Sequence, residues 1–136
     1  MKTICIMNLK GGVGKSVTAI NLSAIFALLH GKRVLLIDAD HQGNTSKFYR
    51  ADQDAATLRE VLLGEAEPCW PENIQHTGYA GLDILPANMG LAELDAAPGL
   101  ADSGAVWRLR ELLVCVAADD AYDFAVIDMP PAFSLS

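Results

Sequence analysis

A glycine-rich segment near the start of the chain has the residues and spacing of a phosphate-binding loop. Residues 10–16 read KGGVGKS and separate a short apolar run with β-branched residues from a long apolar segment. That order predicts a strand, a loop and a helix. The glycines let successive backbone N–H groups turn toward phosphate oxygens, and the start of the helix adds partial positive charge. Lys15 would then bridge the β- and γ-phosphates of a nucleotide, and the Ser16 hydroxyl would bind Mg²⁺.

Two other apolar runs end in aspartates. Val34–Ile37 is followed by Asp38 and Asp40, and Phe124–Ile127 is followed by Asp128. Continuous apolar runs of this length are typical of strands covered on both faces of a parallel sheet. Ligands of such sheets bind at the carboxyl ends of the strands, which is where these acids fall.

The remaining segments predict how these residues are positioned. Leu82–Leu85 indicates a third, weaker strand, residues 56–63 and 106–116 have helical spacing, and residues 64–81 are predicted to form a loop. The first helix should begin near residue 14 or 15, end at Gly31, and be buried on two sides. Strands alternating with helices predict an α/β fold: a doubly wound, mostly parallel sheet with helices on both faces.

Composition and charge restrict the classes of function. With 51% hydrophobic and 20% charged residues the chain should fold, and we expect one domain over residues 1–136. The net charge is −7, and two of the ten basic residues, Lys10 and Lys15, would contact phosphates. Nucleic-acid binding needs clustered cations, whereas the other basic residues are scattered. This stretch alone should therefore bind DNA poorly.

Targeting signals and metal-binding cysteine patterns are not recognisable in the sequence. The start lacks a signal-peptide pattern, and the longest apolar stretch, Val17–Leu29, is shorter than the ~20 residues that span a bilayer. We therefore expect a cytoplasmic protein with no membrane segment. Cys5, Cys69 and Cys115 are far apart and form no CxxC pair, which predicts reduced thiols rather than a disulfide framework or a zinc site.

Three motifs resemble those of one family. The extra lysine before the paired glycines makes KGGVGKS similar to the deviant Walker A motif of the ParA/MinD family, which includes Soj-like P-loop ATPases. Residues 38–44, DADHQGN, resemble the family segment DxDPQGN, and residues 122–131, YDFAVIDMPP, resemble its Walker B strand and DxPP ending. The likeness covers nearly the whole chain.

The resemblance implies a role for each site residue. The cofactors would be ATP and Mg²⁺, with Lys10 reaching the partner's nucleotide in an ATP-sandwiched dimer, as an arginine finger would. Asp40 would position the attacking water, Asp38 would lie near the Mg²⁺, and Asp128 would hold it through water. The implied catalytic residues are Lys10, Lys15 and Asp40, and the implied metal-site residues are Ser16, Asp38 and Asp128. The implied nucleotide-binding residues are Lys10, Gly11, Gly12, Val13, Gly14, Lys15, Ser16 and Val17.

The chain departs from the family at three places. His41 replaces the usual proline, and Val17 stands where threonine is common, so one hydroxyl contact to phosphate is expected to be missing. Family members also continue for about as many residues again after the DxPP turn. The resemblance therefore implies an amino-terminal half, truncated after the Walker B strand.

The resulting functional hypothesis is a ParA-like ATPase switch in chromosome or plasmid partitioning. ATP would close a homodimer, and hydrolysis stimulated by a ParB-like protein would open it. Non-specific DNA binding would come only from the missing carboxyl-terminal half. Two alternatives are a nucleotide-binding or interaction remnant without significant turnover, and a MinD-like ATPase that positions cell division. A metal-cluster member such as the nitrogenase iron protein is disfavoured because no cysteine lies near the three motifs in a way that would make a cluster-bridging site.

Overall fold

The chain is built on a five-stranded sheet in the computed structural model, which describes residues 1–7, 15–40, 42–53, 58, 74–87 and 105–129. The sheet order is β1-β5-β2-β4-β3, and all neighbouring strands are parallel except β3 and β4, which are antiparallel. The strands are β1 (Lys2–Ile6), β2 (Val34–Asp38), β3 (Gln75–His76), β4 (Leu82–Leu85) and β5 (Phe124–Asp128). The predicted mostly parallel sheet is confirmed.

Three described helices accompany the sheet. They are α1 (Lys15–Ala24), which continues as a π-helical segment over Ile25–Leu29, α2 (Asn44–Phe48) and α3 (Ala105–Ala118). Gly31 follows α1 with a φ of 61°, and the Lys32 N–H donates to the Phe26 carbonyl at 2.9 Å. The first helix therefore ends at Gly31, as the sequence predicts, because glycine adopts the left-handed backbone conformation most easily.

The sheet is covered on both faces, as its sequence pattern predicts. Alternate residues of a strand point to opposite faces. Val34 and Leu36 belong to a core cluster with Ala19 and Ala27 of the first helix. Leu35 and Ile37 belong to a second cluster, to which α3 contributes Leu112 and Val116. All four β2 residues are fully buried, which explains why the strand reads as a continuous apolar run.

The first helix differs from its prediction. Its buried positions recur every four residues as a narrow stripe, namely Lys15, Ala19, Ser23 and Ala27. Val17, Ile25, Leu28 and Leu29 are exposed, so burial on two sides is wrong for this helix. A helix packed on one sheet face buries a single stripe, and small residues allow it to approach that face closely.

Two further predictions are corrected, and one is only partly described. Residues 75–76 form β3 inside the predicted loop, because positive-φ turns at Gly78 and Gly81 fold it back antiparallel onto β4. Cys115 is disulfide-bonded, so the expectation of three reduced thiols is wrong. Separation along the sequence does not prevent contact in the fold. The predicted helix over 56–63 lies outside the described residues except for Leu58, which is helical.

Candidate functional site

The carboxyl ends of two adjacent parallel strands bring the predicted acids together. Asp38 of β2 and Asp128 of β5 are paired in register, and the Ala39 N–H donates to the Asp128 carbonyl at 2.9 Å. Asp40 follows two residues after Asp38. All three aspartates are buried. The sheet order, with β5 directly beside β2, is what places these carboxylates at one edge.

Lys15 brings a positive charge to this edge. It is the first residue of α1, and its side chain is buried. The ammonium forms ion pairs with the carboxylates of Asp128 and Asp40, the second at 3.4 Å. The Ser16 hydroxyl, next along the helix, donates to Asp128 Oδ2 at 3.0 Å. The structure thus brings together four residues that the sequence assigned to one site.

Asp38 is fully buried and is surrounded by hydrogen-bond donors. The backbone N–H and the hydroxyl of Ser46 donate to its Oδ2 at 2.9 and 2.6 Å, and the Asp40 N–H lies 3.2 Å from its Oδ1. Burial raises the pKa of Asp38 to about 6, and the negative charge of Asp128 adds to that rise. The Ser46 hydrogen bonds act in the opposite direction and favour the ionised form.

A tight turn fixes the direction of Asp40. The Gln42 N–H donates to Asp40 Oδ1 at 3.0 Å, and the Gly43 N–H donates to the Asp40 carbonyl at 2.9 Å. Gly43 has a φ of 67°, and a Cβ at this position would collide with the side-chain amide of Gln53. The left-handed conformation therefore favours glycine here, and any larger residue would also have to displace the flexible Gln53 side chain.

Sequence reasoning missed two residues of the site, Thr45 and Ser46. Both lie in the first turn of α2 and are fully buried. The Thr45 hydroxyl donates to Asp128 Oδ2 at 2.7 Å, and that of Ser46 contacts Asp38 as described above. The available signal was a pair of hydroxyl residues directly after the aspartate-rich segment and its glycine, a position where they could turn back onto the strand ends.

The donor set fits a magnesium-bound nucleoside triphosphate. Among the described residues, one buried ammonium lies beside three buried carboxylates, a charge balance that favours an added divalent cation. Over the described ranges no group of three or more His, Cys, Asp or Glu residues could hold a metal. Mg²⁺ does not require such a group, because it keeps several waters and takes one or two carboxylates together with phosphate oxygens. Ser16 and Asp128 can supply the protein oxygens, and Lys15 can face the phosphates.

Several predicted residues fall outside the described part of the chain. They are Lys10, Gly11, Gly12, Val13 and Gly14 of the loop, and His41, the departure from the family's proline, also lies outside it. Val17, the last predicted nucleotide-binding position, is exposed on α1. The assignments of these residues stay predictions.

The described helices include no membrane-spanning candidate: each is too short or insufficiently apolar to cross a bilayer.

Comparison with known proteins supports the resemblance seen in the motifs. The family described as AAA domain matches residues 1–136. The chain is 39% identical to the chromosome partitioning protein ParA of Caulobacter vibrioides over 99% of its length, and 37% identical to the sporulation initiation inhibitor protein Soj of Bacillus subtilis over 98%. It spans about half the length of each relative, 50% and 51%.

One solved structure of similar fold contains a bound ATP analogue and magnesium. The cobyrinic acid a,c-diamide synthase of Mycobacterium smegmatis, with bound ATP analogue and magnesium, is 34% identical and superposes with a TM-score of 0.82. The match covers 96% of this chain and 50% of that protein. The deviant loop at residues 10–16, the strand-end aspartates and the full-length family match agree. The chain therefore belongs to the AAA domain family, as a P-loop protein of the ParA/Soj type.

Proposed function

We propose that this chain is the Mg-ATP-binding part of a ParA-type ATPase switch that dimerises with ATP and hydrolyses it in chromosome or plasmid partitioning. The observation that carries the proposal is the buried Lys15 ammonium between Asp40 and Asp128, within the predicted phosphate-binding segment. Two partitioning and sporulation relatives, ParA and Soj, support the cellular role. Such a switch would act in the cytoplasm.

Each residue of the site takes a distinct role in this proposal. Lys15 holds the β- and γ-phosphates, exchanging carboxylate partners for phosphate oxygens. Ser16 binds the Mg²⁺, and Asp128 holds it through water, with Asp38 nearby. Asp40 orients the attacking water, and its own direction is fixed by the N–H of Gln42. Bound Mg-ATP supplies the transferable phosphoryl group and the divalent charge.

The finer parts of the switch depend on residues or partners beyond this site. The backbone of residues 11–14 would surround the phosphates, with Val17 at the end of the loop region. Lys10 would serve the nucleotide of the second subunit, so that ATP stabilises the dimer. A ParB-like protein would stimulate hydrolysis, and the half that the relatives have in addition would supply non-specific DNA binding.

Phosphate release measured with Asp40→Ala tests the proposed reaction. In the chain extended to the length of its relatives, we expect Mg-ATP turnover to fall to near background, because the attacking water loses its orienting carboxylate. Nucleotide affinity by calorimetry should stay within a few-fold. Asp119→Ala, at an exposed position after α3, is the matched control and should leave turnover unchanged. Wild-type turnover without Asp40 would contradict the assignment, and no turnover in the parent chain would favour a binding remnant.

Lys10→Ala tests the dimer in the same assay. Nucleotide binding should survive, while ATP-dependent dimerisation in the ultracentrifuge and turnover should both fall. Retention of both would exclude a role for this lysine across the dimer.

A further inference from the structure

The first turn of α2 contacts both strand-end carboxylates. Thr45 Oγ1 donates to Asp128 Oδ2 at 2.7 Å, and Ser46 donates to Asp38 Oδ2 through its hydroxyl at 2.6 Å and through its N–H at 2.9 Å. All four side chains are fully buried. Two consecutive hydroxyl residues therefore hold two carboxylates that belong to different strands.

The donors to Asp128 have different roles in the proposed function. In the described part of the chain its carboxylate is contacted by Lys15, Ser16 and Thr45. Lys15 would turn to the phosphates and Ser16 to the Mg²⁺, so both are drawn away from the carboxylate. The proposed function assigns Thr45 no contact with the phosphates or the Mg²⁺. Its hydrogen bond is the described contact that can keep Asp128 oriented while the other two exchange partners.

Ser46 is itself held in one orientation. Its hydroxyl accepts a hydrogen bond from the Ala87 N–H at 2.9 Å, just past the end of β4, and donates its proton to Asp38. With its acceptor side used by the backbone, the hydroxyl must present its hydrogen to the carboxylate. The two hydrogen bonds of this hydroxyl connect α2 to the end of β2 and to the segment that follows β4.

We infer that Thr45 and Ser46 are positioning residues, which orient the carboxylates of Asp128 and Asp38 toward the Mg²⁺ site. This inference rests on the proposed function. Residues that hydrogen-bond to metal-site carboxylates typically change metal affinity roughly 10–100-fold when they are lost. The expected signature is a weaker response to Mg²⁺, with little change in the binding of nucleotide without metal.

Thr45→Val tests the inference, because valine has nearly the shape of threonine but lacks the hydroxyl. Binding of a fluorescent ATP analogue to the full chain is measured over a range of Mg²⁺ concentrations and again in excess chelator. We expect the Mg²⁺ concentration for half-maximal enhancement to rise about tenfold or more, with affinity in chelator within about twofold of wild type. Thr45→Ser restores the hydroxyl and should return the Mg²⁺ response close to that of wild type.

Two other variants complete the design. Ser46→Ala keeps the backbone N–H donor to Asp38, so its Mg²⁺ response should weaken only severalfold; it also keeps the test open if Thr45→Val fails to fold. Ser23→Ala is the control for removing a buried hydroxyl, because Ser23 Oγ, near the other end of α1, is buried and has no hydrogen-bond partner among the described residues. It should leave the Mg²⁺ response unchanged.

The outcomes separate this inference from the proposed function. An unchanged Mg²⁺ response in folded Thr45→Val and Ser46→Ala, or an equal loss of affinity with and without Mg²⁺, overturns the positioning role. If Lys15→Ala also leaves nucleotide binding unchanged, the proposed function fails as well. If Lys15→Ala removes binding while the hydroxyl variants respond normally, only the positioning role is lost.

Discussion

Charged side chains cluster at both ends of the parallel sheet, and the two clusters differ in burial. At the carboxyl end, the side chains of Lys15, Asp40 and Asp128 are 6%, 5% and 0% exposed. At the amino end, those of Arg33, Asp120 and Asp123 are 49%, 88% and 36% exposed. Both clusters connect segments that are distant in the sequence, but only the first excludes water from its charges.

The exposed cluster connects the starts of β2 and β5 through hydrogen bonds and ion pairs. Arg33 precedes β2 and Asp123 precedes β5, and each donates its backbone N–H to the other, at 2.8 Å to the Asp123 carboxylate and 2.7 Å to the Arg33 carbonyl. The guanidinium adds contacts to the Asp123 carboxylate and the Asp120 carbonyl. All these groups have partners within the chain and easy access to water. Exposed ion pairs of this kind contribute little to stability.

The buried cluster costs more free energy of desolvation than the exposed one, and its charges can exchange their partners with a ligand. Its carboxylates lack water, so each depends on a small number of protein donors. Replacing one partner leaves a buried charge uncompensated. The same dependence makes the cluster responsive, because an arriving cation or phosphate can replace an internal partner. The difference teaches that burial, rather than the number of charges, distinguishes the candidate site from a structural link.

Lys15→Ala should have the largest effect of any single change. The loss removes the buried ammonium that pairs with both Asp40 and Asp128, and breaking such a pair costs about 3–5 kcal/mol of unfolding free energy. Mg-ATP affinity of the folded variant should fall roughly ten- to a hundred-fold, the worth of one charge-assisted hydrogen bond. Chemical denaturation and calorimetry measure the two quantities.

Arg33→Ala is the matched control for that experiment, because it removes the central cation of the exposed cluster. Nucleotide affinity should be unchanged and stability only slightly altered. Equal destabilisation by the two substitutions would remove the distinction between the clusters, and unchanged Mg-ATP affinity in folded Lys15→Ala would remove the phosphate-binding assignment.

Asp38→Asn should abolish a pH dependence of the unfolding free energy, an effect smaller than that of Lys15→Ala. The pKa of Asp38 is raised by burial to about 6, so between pH 4 and pH 6 the folded chain holds a proton that the unfolded chain releases. The unfolding free energy of the parent protein should therefore fall as pH rises through this range and stay lower above it, by roughly 2–3 kcal/mol. Denaturation curves for the asparagine variant should lack this fall. Identical pH profiles would contradict the buried, proton-binding state of Asp38.

Asp123→Asn should give the smallest effect, with the opposite sign. Hydrogen bonds from Arg33 lower the pKa of Asp123 to about 2, so its stabilising contribution is fully present above about pH 4 and is lost as pH falls toward 2. The parent protein should exceed the variant slightly in stability at pH 5, and the difference should shrink by pH 3. A difference that stays constant across this range would show that ionisation of Asp123 is not its source.

The hydrophobic pattern of the sequence predicted the strands and helices whose burial is regular along their length. The buried strands β2 and β5 read as continuous apolar runs because helices cover both sheet faces, and α3 reads as a helix because its buried residues recur at helical spacing. The first helix was misread, because its apolar residues outnumber those that reach the core. The two-residue strand β3 was missed, because its pairing depends on the turn at Gly78 and Gly81 rather than on its own residues.

The sequence by itself indicated most of the strands and helices, the predicted phosphate-loop residues and the positions of aspartates at strand ends. These are local features, set by residue type and spacing along the chain. Only the tertiary structure decided that β5 lies beside β2, and with it that Asp40 and Asp128 pair with one lysine. It also decided the position of Thr45, which meets Asp128 across 83 residues of sequence. Hydrogen bonds between distant residues follow from sheet order and from the left-handed turn at Gly43, and neither leaves a periodic trace in the sequence.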